Sequence, residues 1–207
     1  MAAIARVDLY TRPHKAVRSV LYQAAIKLGM LDVNQPAEAI QEALASVKVA
    51  IQQLVEHGRH EDAFIHPLYR ERIPSAALDR LERDHVMHEQ TLHLLKTSIE
   101  ELEGAISDEG LARLYKNLNN FIASYLEHLE LEESQLPLLW SSYDDEELMH
   151  LFRCFQASEG DKDAMEQMVG FWASLPEAEA HRLEAGMKQN ASEETFSVIK
   201  KCLDLSI

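Results

Sequence analysis

Six residues of metal-binding type recur in this chain with one spacing. His14, His57 and Glu61 are separated by 43 and then 4 residues, and His85, His128 and Glu132 repeat those gaps 71 residues further on. On a helix, residues four apart stand one above the other on one face. In His57–Glu61 and in His128–Glu132 the imidazole can therefore hold one metal ion while the carboxylate one turn on reaches between two. Two hairpins related by a pseudo-twofold axis, each giving two imidazoles and one carboxylate, are what a two-metal centre requires. Nitrogen and oxygen donors without thiolate suit iron or manganese, and zinc also fits by affinity. Two carboxylates inside a leucine-rich interior would be costly without cations beside them. A lone inward histidine is more often a hydrogen-bonded core residue, but six inward residues at one level with a repeated offset point to ligation.

The repeat also locates its own break. The positions 71 residues before His88 and Tyr125 are Val17 and Leu54, so the second hairpin carries polar groups where the first has aliphatics. His88 is a candidate to complete the coordination of one metal, and the Tyr125 hydroxyl to hydrogen-bond a bound oxygen species. The remaining histidines, His60, His66, His93, His150 and His181, fall off the stripes or outside the bundle and are expected on the surface, with His60 and His93 the candidates to support a ligand.

Helices must bring these residues together. Apolar recurrence at three and four residues predicts a first helix from about Pro13 to Leu31, with Val17, Leu21, Ala24, Leu28 and Leu31 inward. A second starts near Pro36 and carries Ile40, Leu44, Val47, Ile51 and Leu54 to about Pro67. The third, from Pro74 and Ser75 to Gly104, carries Leu78, Leu81, Leu92, Leu95, Ile99 and Leu102. The fourth carries Leu111, Leu114, Leu118, Phe121 and Tyr125 and continues to about Trp140, loosened near Pro137. Four amphipathic helices joined by short loops read as an all-α, up-down-up-down four-helix bundle over residues 8–143. In that topology the six residues lie at one level, roughly 16 to 18 Å from one end at ~1.5 Å per residue. Residues 144–207 read as a C-terminal helical extension of shorter pieces, about 144–157, 162–173, 177–189 and 193–205. It packs on the bundle or makes a homodimer with a second subunit.

Composition narrows the function. With 35 Asp and Glu against 20 Lys and Arg, the net charge of −15 is too acidic for a nucleic-acid or anionic-membrane binder. The chain is 46% hydrophobic with only 7 Gly and 6 Pro, which favours helices over an all-β fold. Cys154 and Cys202 give neither a disulfide framework nor a thiolate zinc site. No signal peptide or spanning segment is evident, so a cytoplasmic protein is expected. A ferritin-like site would use Glu82–His85 and Glu147–His150, but Glu82 is one position off the stripe. A metal-free interaction bundle would leave Glu61 and Glu132 buried without compensation.

Four segments, PHKAVR at His14, EHGRHEDAFIHPL at His57 and Glu61, ERDHVMHEQTL at His85, and LEHLELEESQLPLL at His128 and Glu132, resemble the hemerythrin-like, or HHE cation-binding, family over roughly residues 8–140. The resemblance implies a bundle holding two non-haem irons per chain, oxo- and carboxylate-bridged, with Glu61 and Glu132 bridging and His14, His57, His85 and His128 terminal. Such centres bind O2 or NO, handle peroxide, or sense iron. Oxygen carriers of the family have a further third-helix histidine four residues on and a last motif H-x-x-x-x-D. Here His88 follows His85 by three and the last motif is His128-x-x-x-Glu132, which looks more like the iron–sulfur repair and NO-handling branch or the iron-sensing domain. Lack of any second redox group favours a binding or sensing protein over a di-iron oxidoreductase consuming peroxide or NO.

Overall fold

The structure, a computed structural model, describes residues 6–73 and 75–158. The described residues are helical with no strand: α1 (Thr11–Gly29), α2 (Ala37–His60), a π-turn (Glu61–Ile65), α3 (His66–Arg72), α4 (Ser75–Gly104), α5 (Asp108–Ser134), α6 (Leu136–Ser142) and α7 (Asp145–Ser158). Of these residues, 6–16 and 145–158 belong to one compact unit and 17–144 to another. The sequence-predicted helices at 162–173, 177–189 and 193–205 lie outside the described residues, as do the candidate dimer-forming segments they contain.

In the larger unit the apolar stripes meet in one core. Val17, Leu21, Ala24 and Leu28 of α1 join Ile40, Leu44, Val47, Ile51 and Leu54 of α2, Leu92, Leu95, Ile99 and Leu102 of α4, and Leu111, Leu114, Leu118, Phe121, Tyr125 and Leu129 of α5. Each fully buried aliphatic side chain contributes about 1.5–3 kcal/mol. The helix α4 packs on both α5 and α2. Ser107 starts α5 from an extended conformation, its hydroxyl accepting from Gly110 N at 3.2 Å, and Asp108 and Glu109 complement the helix dipole.

Between α2 and α3 the helix departs from a single α-helical run. The His66 amide bonds to Glu61 O, a loop one residue wider than an α-turn. The extra residue rotates everything beyond it by ~100°. An unbroken helix would continue the α2 stripe through Glu61 to Ile65, Leu68 and Arg72; the residues actually buried are His66, Tyr69 and Ile73. At the corresponding end of the second half the helix breaks instead. The fourth predicted helix, read as running to Trp140, ends at Ser134, and α6 begins afresh with Pro137 in its first turn. Helices α3 and α6 pack together, with Tyr143 Oη donating to Leu68 O at 2.8 Å and the Arg72 guanidinium over the Tyr143 ring at 4.3 Å.

In the smaller unit, Asp8 Oδ1 accepts from the amides of Tyr10 and Thr11 at 3.0 and 2.9 Å and so starts α1. Asp145, Glu146 and Glu147 occupy the first turn of α7, and Arg6 Nε lies 2.7 Å from Asp145 Oδ1. Leu148 is buried.

Candidate metal centre

The π-turn, the C-terminal turns of α2 and α5 and the first half of α4 converge on a polar cluster. The turn contributes Glu61, α2 His57, α4 His85, and α5 His128 with Glu132. The ligand-type atoms of Glu61, His85, His128 and Glu132 all lie within 4.8 Å of one another, as do those of His57, Glu61 and Glu132. His85 Nε2 stands 3.1 Å from His128 Nε2, 3.5 Å from Glu61 Oε2 and 3.6 Å from Glu132 Oε1. His128 Nε2 is 3.2 Å from Glu132 Oε1, and His57 Nε2 is 3.1 Å from Glu61 Oε1. Glu61, His128 and Glu132 are buried, and His57 and His85 are nearly so.

These residues fit a cation. Ionised carboxylates only accept hydrogen bonds, and a neutral imidazole nitrogen turned toward them without its proton does the same. With bonds of ~2.1 Å, neighbouring ligand atoms lie about 3.0 Å apart around an octahedral ion and about 3.4 Å around a tetrahedral one. The observed spacings, 3.1 to 3.6 Å, fall close to both values. In the metal-free chain a proton takes that place: burial alone would lower the His85 pKa, but bonds to Asp62, Glu132 and Glu61 hold it up at about 12.

Of the other predicted site residues, His14 lies on α1 in the smaller unit and is wholly buried, its ring 5.3 Å from that of Tyr10. His88 is buried but belongs to neither group of converging ligand atoms. Its ring packs 4.9 Å from Tyr125 and edge-on to His128 at 5.0 Å. Burial, with the neighbouring His128, lowers its pKa to about 4. Tyr125 is buried, and burial followed by the charges of Glu61 and Glu132 raises its pKa, so the hydroxyl keeps its proton. Glu82 of the ferritin-like string turns to Arg70.

Two histidines expected on the surface are not there. His60 is buried beside Arg59, whose Nη2 lies 2.7 Å from His60 Nε2, and His66 is fully buried. The cause for His66 is the π-turn, which brings it to the inner face. His93 and His150 are exposed, and His181 lies outside the described residues. Sequence reasoning also missed Asp62, whose Oδ1 lies 2.9 Å from both His85 Nδ1 and His66 Nδ1, and Asp84, with Oδ2 3.6 Å from His128 Nδ1. One signal was available: 10 residues separate His57 from Pro67, but 9 separate His128 from Pro137, so the first half holds one extra residue just after its glutamate.

A family model described as the hemerythrin HHE cation binding domain matches residues 5–137. Comparisons with curated proteins and with solved structures return no match.

Proposed function

The chain belongs to the hemerythrin HHE cation-binding family, and from that premise we propose that it is a non-haem di-iron protein that binds or senses O2, NO or iron. The observation that carries the reading is the convergence of Glu61, His85, His128 and Glu132, with His57 on the far side of Glu61. Glu61 and Glu132 stand in both groups of donors, the position a bridging carboxylate needs. His85 and His128 serve one ion. His57 serves the other, and His14 joins it as the 71-residue counterpart of His85. Helix periodicity supports that last assignment: His14 shares a face with Val17 and Leu21 of the core. One turn on, Arg18 Nη1 lies 2.7 Å from Glu133 Oε1, next to Glu132.

We take the four long helices as an up-down-up-down bundle. Iron bound there supplies Lewis acidity and redox capacity toward a small diatomic ligand. The chain supplies a dry, anionic cradle. Tyr125 keeps its hydroxyl proton and can donate it toward a ligand in the pocket. His88, neutral at physiological pH, forms the wall behind His128.

Metal content and the ultraviolet–visible spectrum of protein loaded with iron anaerobically and then exposed to air test this reading. Two irons per chain and a charge-transfer band that appears on air and is missing in His57→Ala are expected. No metal, or one zinc without a spectral change, would overturn it in favour of a helical interaction module. Steady peroxide consumption with a reductant would instead assign turnover to the same centre.

A further inference from the structure

Asp62 and His66, outside the six ligands proposed above, cluster with the ligand His85. The three are brought together by the π-turn, which shifts His66 onto the buried face while Asp62 remains at the edge. The Asp62 side chain is 53% exposed and His66 is 0% exposed, with His85 in contact with both. Asp62 Oδ1 hydrogen-bonds His85 Nδ1 at 2.9 Å and stands 2.9 Å from His66 Nδ1. The His66 and His85 rings stack at 4.8 Å with 27° between their planes. Both in-plane rotation and tilt of the His85 ring are therefore restrained, one by a hydrogen bond and the other by a stacked neighbour.

The chemistry of the bond fixes more than orientation. A carboxylate can only accept, so the nitrogen facing it must carry the proton. That leaves Nε2 as the bare nitrogen of neutral His85, and Nε2 is the atom directed at Glu61, Glu132 and His128. We propose that Asp62 is a positioning residue for His85, selecting the tautomer with Nε2 free for metal, and that His66 clamps the pair from the buried side. In the second hairpin the residue after Glu132, Glu133, pairs with Arg18 at 2.7 Å, and Asp84 Oδ2 lies 3.6 Å from His128 Nδ1.

The inference rests on His85 being a ligand, so its test must separate the two. Zinc, which needs no reductant, is titrated into the full chain against a competing chelator, and the ring nitrogens of His85 are followed by NMR. Wild type should take up zinc with His85 Nδ1 protonated. Asp62→Ala should bind one ion about 10- to 100-fold more weakly, with loss of the Nδ1–H signal. Asp62→Asn, which keeps an acceptor oxygen, should recover most of the affinity. If Asp62→Ala binds zinc as wild type does with the Nδ1 proton signal unmoved, Asp62 is not positioning His85. If wild type itself binds no zinc, the centre as read above fails first, and the positioning role fails with it.

Discussion

Glu132→Gln separates the cost of burying a carboxylate from its use. Glu132 is wholly buried, 3.2 Å from His128 Nε2 and 3.6 Å from His85 Nε2. Removing one member of a buried ion pair is ordinarily worth 3–5 kcal/mol, because it strands the partner's charge. Here His85 is not stranded, since Asp62 lies 2.9 Å from it and Glu61 3.5 Å. Glutamine has nearly the same shape and keeps an acceptor. The metal-free variant should therefore unfold within about 1 kcal/mol of wild type. With metal the outcome differs. Free metal at a thousand times Kd adds about 4 kcal/mol to stability. Loss of an anionic ligand facing the ions should weaken binding at least as much as loss of a supporting residue, about 100-fold at the upper end. That leaves about 1.4 kcal/mol of metal-conferred stability. The difference, about 2.7 kcal/mol, corresponds to roughly 5–11 °C in Tm for a chain of this size. Thermal melts with zinc and with chelator, on both proteins, read all four values. Equal destabilisation with and without metal would make Glu132 a structural residue and refute the reasoning.

The metal-free chain should melt at lower temperature at about pH 10 than at about pH 6, because the His85 pKa, raised from its ordinary 6.5 to about 12, gives stability fully present below 6.5 and lost as pH rises toward 12; His85→Gln should flatten that dependence. A methyl group at Gly110 would sit 2.5 Å from Leu102 Cδ2 and 2.9 Å from Ser107 Oγ, so Gly110→Ala should lower stability by about 1–3 kcal/mol in urea unfolding, whereas Gly104→Ala, with nothing within 4 Å, should not.

The helices were legible because their burial is one-sided: every stripe residue named from α4, from Leu78 to Leu102, is buried. The six candidate ligands were proposed on a different ground, an offset of 71 that needs no helix phase. Of the six, Glu61, His85, His128 and Glu132 come within one cluster, and His57 joins it through Glu61. His66 was not legible, because a stripe is extrapolated with a fixed 3.6-residue period and one inserted residue before it defeats the extrapolation. Pro137 misled in the opposite sense. It was read as a loosening within a continuing helix, but a proline is most at home in a first turn, and α6 starts there.

The π-turn sets a tolerance on chain length rather than on composition. Deleting one residue of 62–65 would let α2 run into α3 as a single α-helix with His66, Tyr69 and Ile73 still inward, because the residue that the π-turn absorbs is gone. Straightening the turn with every residue kept would instead bring Ile65, Leu68 and Arg72 inward, driving a guanidinium into a space that Tyr69 now fills with no exposure. The hinge of this half is therefore a counted segment: side chains there can be exchanged and one residue can be lost, but one more residue turns the short helix over by ~100°.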